Sequence, residues 1–563
     1  MRLFLFILIF VSRQASAQEY KYLIRLKDKI NNGYDLGNPS AFLSEKSIQR
    51  RTKQNIGFEF TDLPLTQAYI DSISAVAYTR IINKSRWFNQ LLIGTTDTTI
   101  LGRIRSFSFV LSLEPVNNGH AIKIQDRISI NYKENISASL TIESKNNPSG
   151  ILSPYYYGSS FNQINIHHGD FLHEMGFRGE AMTIAILDDG FNNYLYNPAF
   201  EILRNEQHIL GTYDFVNGKV SVNEEAAHGS NCFSIIASNL PTVMIGSAPA
   251  ANYWLFKTED DKSETPVEEQ NWVAAAEFAD SVGVDLITTS LGYGYFDDTA
   301  YNLNYGKRNG HTALVSRAAN LAAGKGMIVT ASIGNSGNDI GDKIFVGCPA
   351  DGDSVYAVGA VKYNGLLASF SSWGPNSSGQ IKPDGVSVGS GTSLIGTDGN
   401  LYSGDGTSYS TPNLAGLITC LWQAFPEFNC HDILQAVRQS SGQYKNPDGR
   451  YGYGSPDFEK AYHALQIKRL GVTVQLTASD WIHIYPNPFN KTITIFFRPA
   501  VTGTSNIELL DVSGRKIQTQ SFTVATNEDQ IIELSLKTAL PAGVYLIRYV
   551  DQKQSKTIKV MKY

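Results

Sequence analysis

Short apolar runs alternate with helix-like segments through the middle of the chain. Runs bounded by turn residues predict buried strands, and these runs are residues 183–187, 252–256, 285–289, 327–332 and 355–361. Between them, residues 272–281 and 312–324 have the apolar spacing of helices. Strands that alternate with helices form a parallel sheet covered by helices. The pattern therefore predicts an α/β fold with its functional site at the carboxyl ends of the strands.

The pattern changes on both sides of this region. Upstream, strand-like runs and two helical segments predict a small α+β domain, and they are residues 20–26, 42–51, 69–75, 87–94 and 107–116. Downstream, short alternating runs separated by turn residues predict a β-sandwich, and they are residues 492–497, 507–511, 531–536, 544–549 and 557–561. Residues 118–153, with clusters of Asn, Ser, Gly and Pro, predict a connector, and residues 471–480 predict a linker.

The composition excludes several classes of protein. The chain has 563 residues, which allows several domains, and its 42% apolar and 18% charged residues are typical of globular domains. Its net charge of -5 is small for this length, so bulk charge indicates no nucleic-acid or membrane partner. The four cysteines include no C-x-x-C pair, which argues against a zinc site and a disulfide scaffold. Cys420 and Cys430 remain candidates for a disulfide.

The first residues have the pattern of a secretory signal peptide. Met1-Arg2 precedes an apolar run over residues 3–11, and Ala15-Ser16-Ala17 gives an A-x-A cleavage pattern. The run is too short to span a bilayer, and no other stretch of the sequence is long and apolar enough. We expect residues 1–17 to be a signal peptide, and the alternative is an N-terminal anchor that stays uncleaved.

A glycine-rich turn at Ser408 leads into an apolar run. Residues 404–417 have the sequence GDGTSYSTPNLAGL, so Ser408 is expected where a loop enters a buried helix, with Pro412 in the first turn. The free N–H groups at such a helix start favour a negative charge nearby. A serine hydroxyl is a weak nucleophile unless a neighbouring base removes its proton. A serine in such a turn is more often only a capping residue. A catalytic role for Ser408 therefore depends on whether the rest of the chain supplies a base and a group that orients it.

Two upstream motifs supply a base and a group that orients it. Asp188 directly follows the predicted strand 183–187 in the sequence AILDDG, and Asp189 is expected to point elsewhere. His228 precedes a helix-like apolar run in HGSNC, and histidine has a pKa near neutral pH. With Ser408, the chain order is Asp, His, Ser, which is the order of subtilisin and not that of chymotrypsin or the α/β-hydrolases.

The motifs AILDDG, HGSNC and GTSYSTP together resemble those of the subtilisin-like serine proteases, the subtilase family. The resemblance covers residues 154–470 and implies a serine endopeptidase with a catalytic triad of Asp188, His228 and Ser408 and an acyl-enzyme intermediate. The sequence SIGNSG at 332–337 is similar to the family's oxyanion-hole stretch, which implies that Asn335 stabilises the developing oxyanion. The alternative for this stretch is an Asn-rich turn.

The resemblance also implies the walls of a substrate cleft. One wall is Ser290-Leu291-Gly292, whose backbone would pair with an extended substrate, and the other is Ser332-Ile333-Gly334. Ile333 stands where alanine is frequent in the family, which leaves the preferred residue before the scissile bond (P1) open. The aromatic residues of 293–298 form either an edge of the cleft or a packed surface loop. Cys232 is expected to be a buried core residue.

The flanking domains are interpreted from their position and from further resemblances. Residues 18–117 lie between the signal peptide and the protease-like domain and resemble a subtilase propeptide, released by cleavage within 118–153. YPNPF, LLDVSGRKI, LPAGVYLIRY and the final KTIKVMKY are similar to a type IX secretion sorting domain, placed at residues 481–563. This second resemblance implies a partner in the secretion machinery of the outer membrane.

Other functional classes fit the sequence less well. No H-E-x-x-H motif indicates a metalloprotease, and GTSYS is not the G-x-S-x-G of α/β-hydrolases. The serious alternative is an inactive, subtilase-like surface binding protein, against which the complete triad and Asn335 argue. We expect polypeptide substrates, no nucleic acid, no catalytic metal and no required cofactor. The resemblance allows structural calcium, for which no ligand loop is found. We expect a monomer, secreted or at the cell surface after export through the periplasm.

Overall fold

A computed structural model describes residues 19–117, 135–137, 157–469, 481–485, 487–489, 492–526, 530–537 and 540–562. The predicted signal peptide, nearly all of the predicted connector and the predicted linker lie outside these residues. The chain forms two compact units, Met1–Tyr462 and His463–Tyr563. Among the described residues, no helix has the length and apolar character that crossing a membrane would require.

The N-terminal domain is a four-stranded antiparallel sheet with short helices packed against it. Its elements are β1 (Tyr20–Leu26), α1 (Glu45–Lys53), α2 (Gln67–Ser74), β2 (Thr79–Ser85), β3 (Gln90–Thr95), α3 (Leu101–Arg105) and β4 (Val110–Asn117). The strand order is β2-β3-β1-β4. Ile24, Ile73, Leu91 and Ile104 come from the sheet and from two helices, and all are 0% exposed. The predicted α+β domain is confirmed.

The central domain contains most of the helices and a large parallel sheet. Its elements are β5 (Asn135–Ser137), α4 (Phe161–Asn165), α5 (Gly169–Glu174), β6 (Thr183–Asp188), α6 (Glu201–Asn205), β7 (Ile209–Asp214), α7 (His228–Ala237), β8 (Asn239–Leu240), β9 (Met244–Ile245), β10 (Asn252–Lys257), α8 (Pro266–Val282), β11 (Leu286–Thr289), α9 (Leu314–Gly324), β12 (Ile328–Ser332), β13 (Val355–Val361), β14 (Gly385–Val388), β15 (Ser390–Ile395), β16 (Leu401–Asp405), α10 (Thr407–Ala424), α11 (Cys430–Ser440) and α12 (Phe458–Arg469).

Seven strands form one sheet in the order β14-β13-β12-β11-β6-β10-β7, and every neighbouring pair is parallel. β6, β11, β12 and β13 are buried along their whole length. This explains their near-continuous apolar sequences, since helices cover a parallel sheet on both faces. Trp272 of α8 and Val315 of α9 are 0% exposed and belong to one large core with strand residues such as Ile287. The predicted α/β fold is confirmed.

A small antiparallel sheet precedes the last long buried helix. β15 pairs with β16, and β16 pairs with β5, so that Asn135 lies opposite Asp405. β16 ends at Asp405, and α10 begins two residues later at Thr407. The entry into α10 is therefore held by a pair of strands.

The N-terminal domain packs on α8 and α9 of the central domain. Three of its arginines, Arg50, Arg51 and Arg86, reach the carboxylate of Asp280 on α8 at nitrogen–oxygen distances of 2.5, 2.6 and 2.8 Å. Asp280 is 0% exposed. Burial alone would raise the pKa of Asp280, but the arginines outweigh it and hold that pKa below its usual range.

The second unit is a β-sandwich. Its strands are β17 (Ile482–Tyr485), β18 (Thr492–Phe497), β19 (Gly503–Asp511), β20 (Lys516–Val524), β21 (Gln530–Ser535), β22 (Gly543–Val550) and β23 (Ser555–Lys562). They form two antiparallel sheets, β17-β18-β21 and β20-β19-β22-β23. Phe497, Leu509 and Ile547 are 0% exposed in a core made by both sheets. The predicted β-sandwich is confirmed.

Candidate active site

Asp188 and His228 are held side by side by the end of β6 and the start of α7. Asp188 is the last residue of the buried strand β6 and is 0% exposed. His228 is the first residue of α7, and its Nδ1–H donates to Asp188 Oδ1 over 2.5 Å. Because Nδ1 carries this bond, Nε2 is the ring nitrogen that can take a proton from another group. A Cβ at Gly229 would lie 2.3 Å from the Gly190 carbonyl oxygen, so this close approach requires glycine.

Ser408 lies in the first turn of α10, buried against the end of β11. Its hydroxyl donates to the Ser290 carbonyl oxygen over 3.3 Å. The prediction that Pro412 lies in the first turn is wrong, because Pro412 is inside α10, in its second turn. Proline has no N–H, so it cannot donate to the carbonyl four residues earlier, which is that of Ser408. The Ser290 hydroxyl takes this role and donates to the Ser408 carbonyl oxygen over 2.8 Å.

Cys232 connects the two helices that carry His228 and Ser408. Its sulfur donates to the Ser408 carbonyl oxygen at 3.4 Å and lies 3.9 Å from His228 Nε2. The side chain is 1% exposed, which confirms the predicted buried core residue. All four cysteines are free thiols in the structure, so the Cys420–Cys430 pair is not formed.

Asn335 presents an unused amide donor beside Ser408. Its Oδ1 accepts from the Thr407 N–H at 2.8 Å and from the Thr407 hydroxyl at 2.9 Å. This fixes the amide orientation, because a backbone N–H can only donate. Asn335 Nδ2 is buried and has no hydrogen-bond partner within the described structure. The Ser408 N–H, in the first turn of α10, likewise has no acceptor inside the helix. The two groups are the donors that an oxyanion hole needs.

The predicted cleft walls extend from neighbouring strands. Ser290-Leu291-Gly292 follows β11, and Ser332-Ile333-Gly334 ends β12 and continues from it. β11 and β12 are adjacent and parallel, so their carboxyl ends bring the two stretches to one edge of the sheet. The Ser332 hydroxyl reaches the Leu291 carbonyl oxygen at 3.5 Å, which connects the two stretches.

The structure assigns most of the aromatic run 293–298 to the interior. Tyr293 is 1% exposed and Phe296 is 6% exposed, so both pack inside the domain, whereas Tyr295 is half-buried. Of the two alternatives, a packed loop describes these residues better than an aromatic edge. Ile333 is 0% exposed and belongs to the same core as Tyr293. The isoleucine side chain therefore fills the interior next to the predicted cleft.

Asp189 contacts the start of α7, which was not predicted from the sequence. Its Oδ1 accepts from the Gly229 N–H over 3.1 Å, which places a carboxylate at the start of the helix that carries His228. Burial, together with the charge of Asp188, raises the pKa of Asp189 to about 7. An Asp beside a strand end is a common cap, but only the fold shows that it caps α7.

Two groups of described side chains have the spacing of metal ligands. The first is Asp188, His228 and Cys232, whose ligand atoms lie within 4.8 Å of one another. The second is Glu259, Glu264 and Glu268, with the same spacing. Burial raises the pKa of Glu259 to about 7 and those of Glu264 and Glu268 well above the usual range.

Comparison with known proteins identifies three segments of the chain. Residues 179–454 match the subtilase family, peptidase S8. Residues 21–133 match the peptidase S8 propeptide domain of Bacteroidota. Residues 483–563 match the secretion system C-terminal sorting domain.

Two relatives agree with this assignment, and one solved structure is given after them for its similarity alone. A thermostable alkaline protease of Halalkalibacterium halodurans is 28% identical over 50% of this chain and 68% of its own length. Subtilisin DY of Bacillus licheniformis is 27% identical over 53% of this chain and 97% of its own length. The crystal structure of an epidermin leader peptide processing serine protease from Staphylococcus aureus covers 80% of this chain and 99% of that chain, with 15% identity and a TM-score of 0.49.

The fold and the relatives define a serine-type endopeptidase. Residues 179–454 are a subtilase domain, with a propeptide domain before it and a secretion sorting domain after it.

Proposed function

We propose that this protein is an exported zymogen that hydrolyses peptide bonds with Ser408 as nucleophile, His228 as general base and Asp188 as the group that orients the imidazole. His228 Nε2 removes the proton from the Ser408 hydroxyl as the oxygen attacks the substrate carbonyl carbon. Asp188 holds Nδ1–H and stabilises the imidazolium that forms. The same imidazolium then protonates the leaving amine, and water hydrolyses the acyl-enzyme.

The observation that carries this proposal is the arrangement of Asn335. Its Oδ1 is held by both donors of Thr407, and its Nδ2–H is buried without an acceptor. A buried, unsatisfied donor destabilises a fold, so its presence argues for a ligand acceptor. An oxyanion formed on attack by Ser408 is such an acceptor.

The two flanking domains add export and activation to the proposed function. The sorting domain directs the chain out of the cell, with the outer-membrane secretion machinery as partner and with a secreted or surface location. The propeptide domain, docked on α8 and α9, keeps the protease inactive until cleavage downstream of Asn117 releases it. Polypeptides are the substrates, and the chain acts as a monomer.

The decisive experiment compares wild type with Ser408→Ala in the full chain. Wild type should cleave a protein substrate and react with a fluorophosphonate label. The variant should do neither, although it folds, because the alanine lacks the attacking oxygen. Undiminished hydrolysis by Ser408→Ala would refute the proposal, and a wild type that neither cleaves nor labels would favour the inactive binding protein.

The same pair tests self-processing of the propeptide. When each chain is produced alone, wild type should lose the N-terminal domain and Ser408→Ala should keep it attached. Mass spectrometry of the purified chains gives the result. Normal maturation of Ser408→Ala with no other protease present would show that processing comes from elsewhere.

A further inference from the structure

The strand β5 covers the sheet edge that leads to Ser408. β5 comes from the predicted connector, whereas its partner β16 belongs to the protease domain. Among the described strands, the order of this sheet is β15-β16-β5, so β5 alone pairs with the outer edge of β16. The paired residues are consecutive, and they are Ser137 with Ser403, Ile136 with Gly404 and Asn135 with Asp405. The connector therefore binds the protease domain at this edge by backbone pairing.

β16 lies next to the candidate active site. Gly404 packs so closely on Tyr409 that a Cβ at Gly404 would lie 2.5 Å from the tyrosine ring. The centroid of that ring is 6.3 Å from the centroid of the His228 ring. Asp405 ends β16, and Ser408 follows three residues later in α10. The residues that pair with β5 are thus the ones that lead directly to the proposed nucleophile.

The amino end of β5 faces the Ser408 end of β16. The two strands are antiparallel, so the first residue of β5, Asn135, lies opposite the last residue of β16, Asp405. Opposite Cα atoms are about 4.5–5.5 Å apart, and the three residues from Asp405 to Ser408 span at most about 11 Å. The Cα atoms of Asn135 and Ser408 are therefore within roughly 16 Å, which about five residues of extended chain would cover.

A peptide substrate has to be held on both sides of the bond that is cut. The predicted cleft walls would hold the residues before that bond. A strand that adds to a sheet edge is held by main-chain hydrogen bonds, whatever its side chains are. β5 is such a strand on a second edge, and its amino end faces the nucleophile. This is the arrangement that the residues after a scissile bond require.

The end of the propeptide match agrees with this position. The match to the propeptide domain covers residues 21–133 and ends two residues before Asn135. It extends past β4, which ends at Asn117, and includes no residue of β5. The strand pairing and the propeptide match are independent observations, and both place the boundary between propeptide and protease immediately before β5.

We propose that the protein cuts its own chain immediately before β5, which is bound to β16 as the leaving side of the scissile bond, so that the mature protease begins at one of residues 131–135. Ser408 Oγ attacks the carbonyl carbon of that bond while His228 takes the hydroxyl proton. When the C–N bond breaks, His228 gives the proton to the leaving nitrogen, which becomes the amino terminus of the chain that carries β5. Water then hydrolyses the acyl-enzyme and releases the propeptide with a terminal carboxylate. This inference rests on the proposed function and adds the position of self-processing.

The first test locates the new amino terminus in the wild-type full chain. The chain is produced with no other protease present, and mass spectrometry over a time course identifies the first terminus that appears downstream of Asn117. We expect this terminus at one of residues 131–135, and Ser408→Ala should remain uncut. A fluorophosphonate-reactive wild type that stays uncut, or whose first terminus lies outside this window, overturns this inference alone. A wild type that neither reacts nor cuts itself overturns the proposed function and this inference with it.

An insertion separates the pairing of β5 from the distance to the propeptide domain. The variant carries Gly-Ser-Gly-Ser after Asn118, one residue beyond the end of β4. Because pairing with β16 positions the bond, the new terminus should stay at the same distance from Asn135 as in wild type. A cut that instead keeps its distance from β4 would move four residues away from Asn135, and this outcome overturns the inference.

A proline in β5 tests the pairing itself. Ile136→Pro removes a backbone N–H and fixes the backbone, and a paired strand tolerates proline poorly. Self-cutting should slow by about 10-fold, the effect of roughly one net hydrogen bond, whereas Ser408 should still react with the fluorophosphonate. The matched control Lys145→Pro places a proline in the same connector outside β5 and should cut itself at the wild-type rate. Equal rates of self-cutting in the two proline variants overturn this inference.

Discussion

The amide of Asn335 is the most informative side chain at the residue scale. Replacement by alanine removes the unused Nδ2–H and leaves Ser408 and His228 in place. We expect Asn335→Ala to label with a fluorophosphonate and to lose about 100-fold or more in kcat, as removal of an oxyanion-hole donor typically does. Thr407→Val keeps the N–H that orients Asn335 but loses the hydroxyl, so its kcat should fall less. Equal activity of Asn335→Ala and wild type would remove Asn335 from the oxyanion hole.

Asp189 predicts a pH dependence of stability. Its pKa is raised from 3.8 to about 7 by burial and by Asp188, so the folded protein holds a proton that the unfolded chain releases. The free energy of unfolding that protonated Asp189 contributes is complete below the unfolded pKa of 3.8. It is lost as pH rises through the folded pKa of about 7. Asp189→Asn, which is neutral at every pH, should therefore melt at a higher temperature than its parent at pH 8, and the gain should shrink towards pH 4.

Thermal unfolding in the inactive Ser408→Ala background measures this effect without self-digestion. The exposed Asp71→Asn variant is the control and should change the melting temperature by the same small amount at both pH values. A gain for Asp189→Asn that is equal at pH 4 and pH 8 would mean that Asp189 does not titrate in this window.

Strands and helices could be predicted where burial dictates their sequence. β13 was predicted with its observed bounds, because a strand buried on both faces is apolar throughout. The start of α8 was missed because its first turn is polar, although Thr265 and Glu268 form a capping box there. β20 was missed because most of its residues are polar and only Val524 is buried. The local sequence does not predict these elements, because the residues that they contact in the fold stabilise them.

The residues of the candidate site also divide into those that the local sequence predicts and those that only the fold reveals. Asp188, His228 and Ser408 could be chosen from motifs because each begins or ends an element, where side chains converge. Asp189 could not, since its significance lies in a contact with Gly229, which is distant in the sequence. Pro412 was misplaced within α10 because helix rules give no reason for a proline there, whereas the Ser290 hydroxyl supplies one by replacing the lost hydrogen bond.

Asp280 of α8 is the main electrostatic contact between the propeptide domain and the protease domain. Asp280→Asn would leave Arg50, Arg51 and Arg86 without their shared carboxylate, two of them buried. Breaking a buried ion pair costs about 3–5 kcal/mol. We expect a corresponding loss of unfolding free energy in Ser408→Ala, measured by denaturant unfolding. The exposed pair Arg80–Glu19 is the control, and Glu19→Gln should cost at most about 1 kcal/mol. Equal losses for the two variants would show that the buried cluster does not hold the domains together.

At the scale of the whole molecule, the C-terminal sandwich is separate from the protease in structure and, we expect, in role. It has its own core, which includes Phe497 and Ile547, and it forms a compact unit distinct from Met1–Tyr462. A domain with its own core can be removed without unfolding its neighbour. Truncation after Leu470 should therefore leave an enzyme that, once purified, cleaves peptides at the rate of the full chain.

In a diderm host that carries the secretion system, the same truncation should strand the protein in the periplasm, because the sorting domain is the part that the machinery recognises. Immunoblots of periplasm, cell surface and medium give the distribution. Full-length Ser408→Ala is the control: it lacks the nucleophile but keeps the sorting domain, so it should leave the cell and separate export from activity. Normal secretion of the truncated chain would contradict the sorting role, whereas loss of its activity in vitro would show that the protease depends on the sandwich.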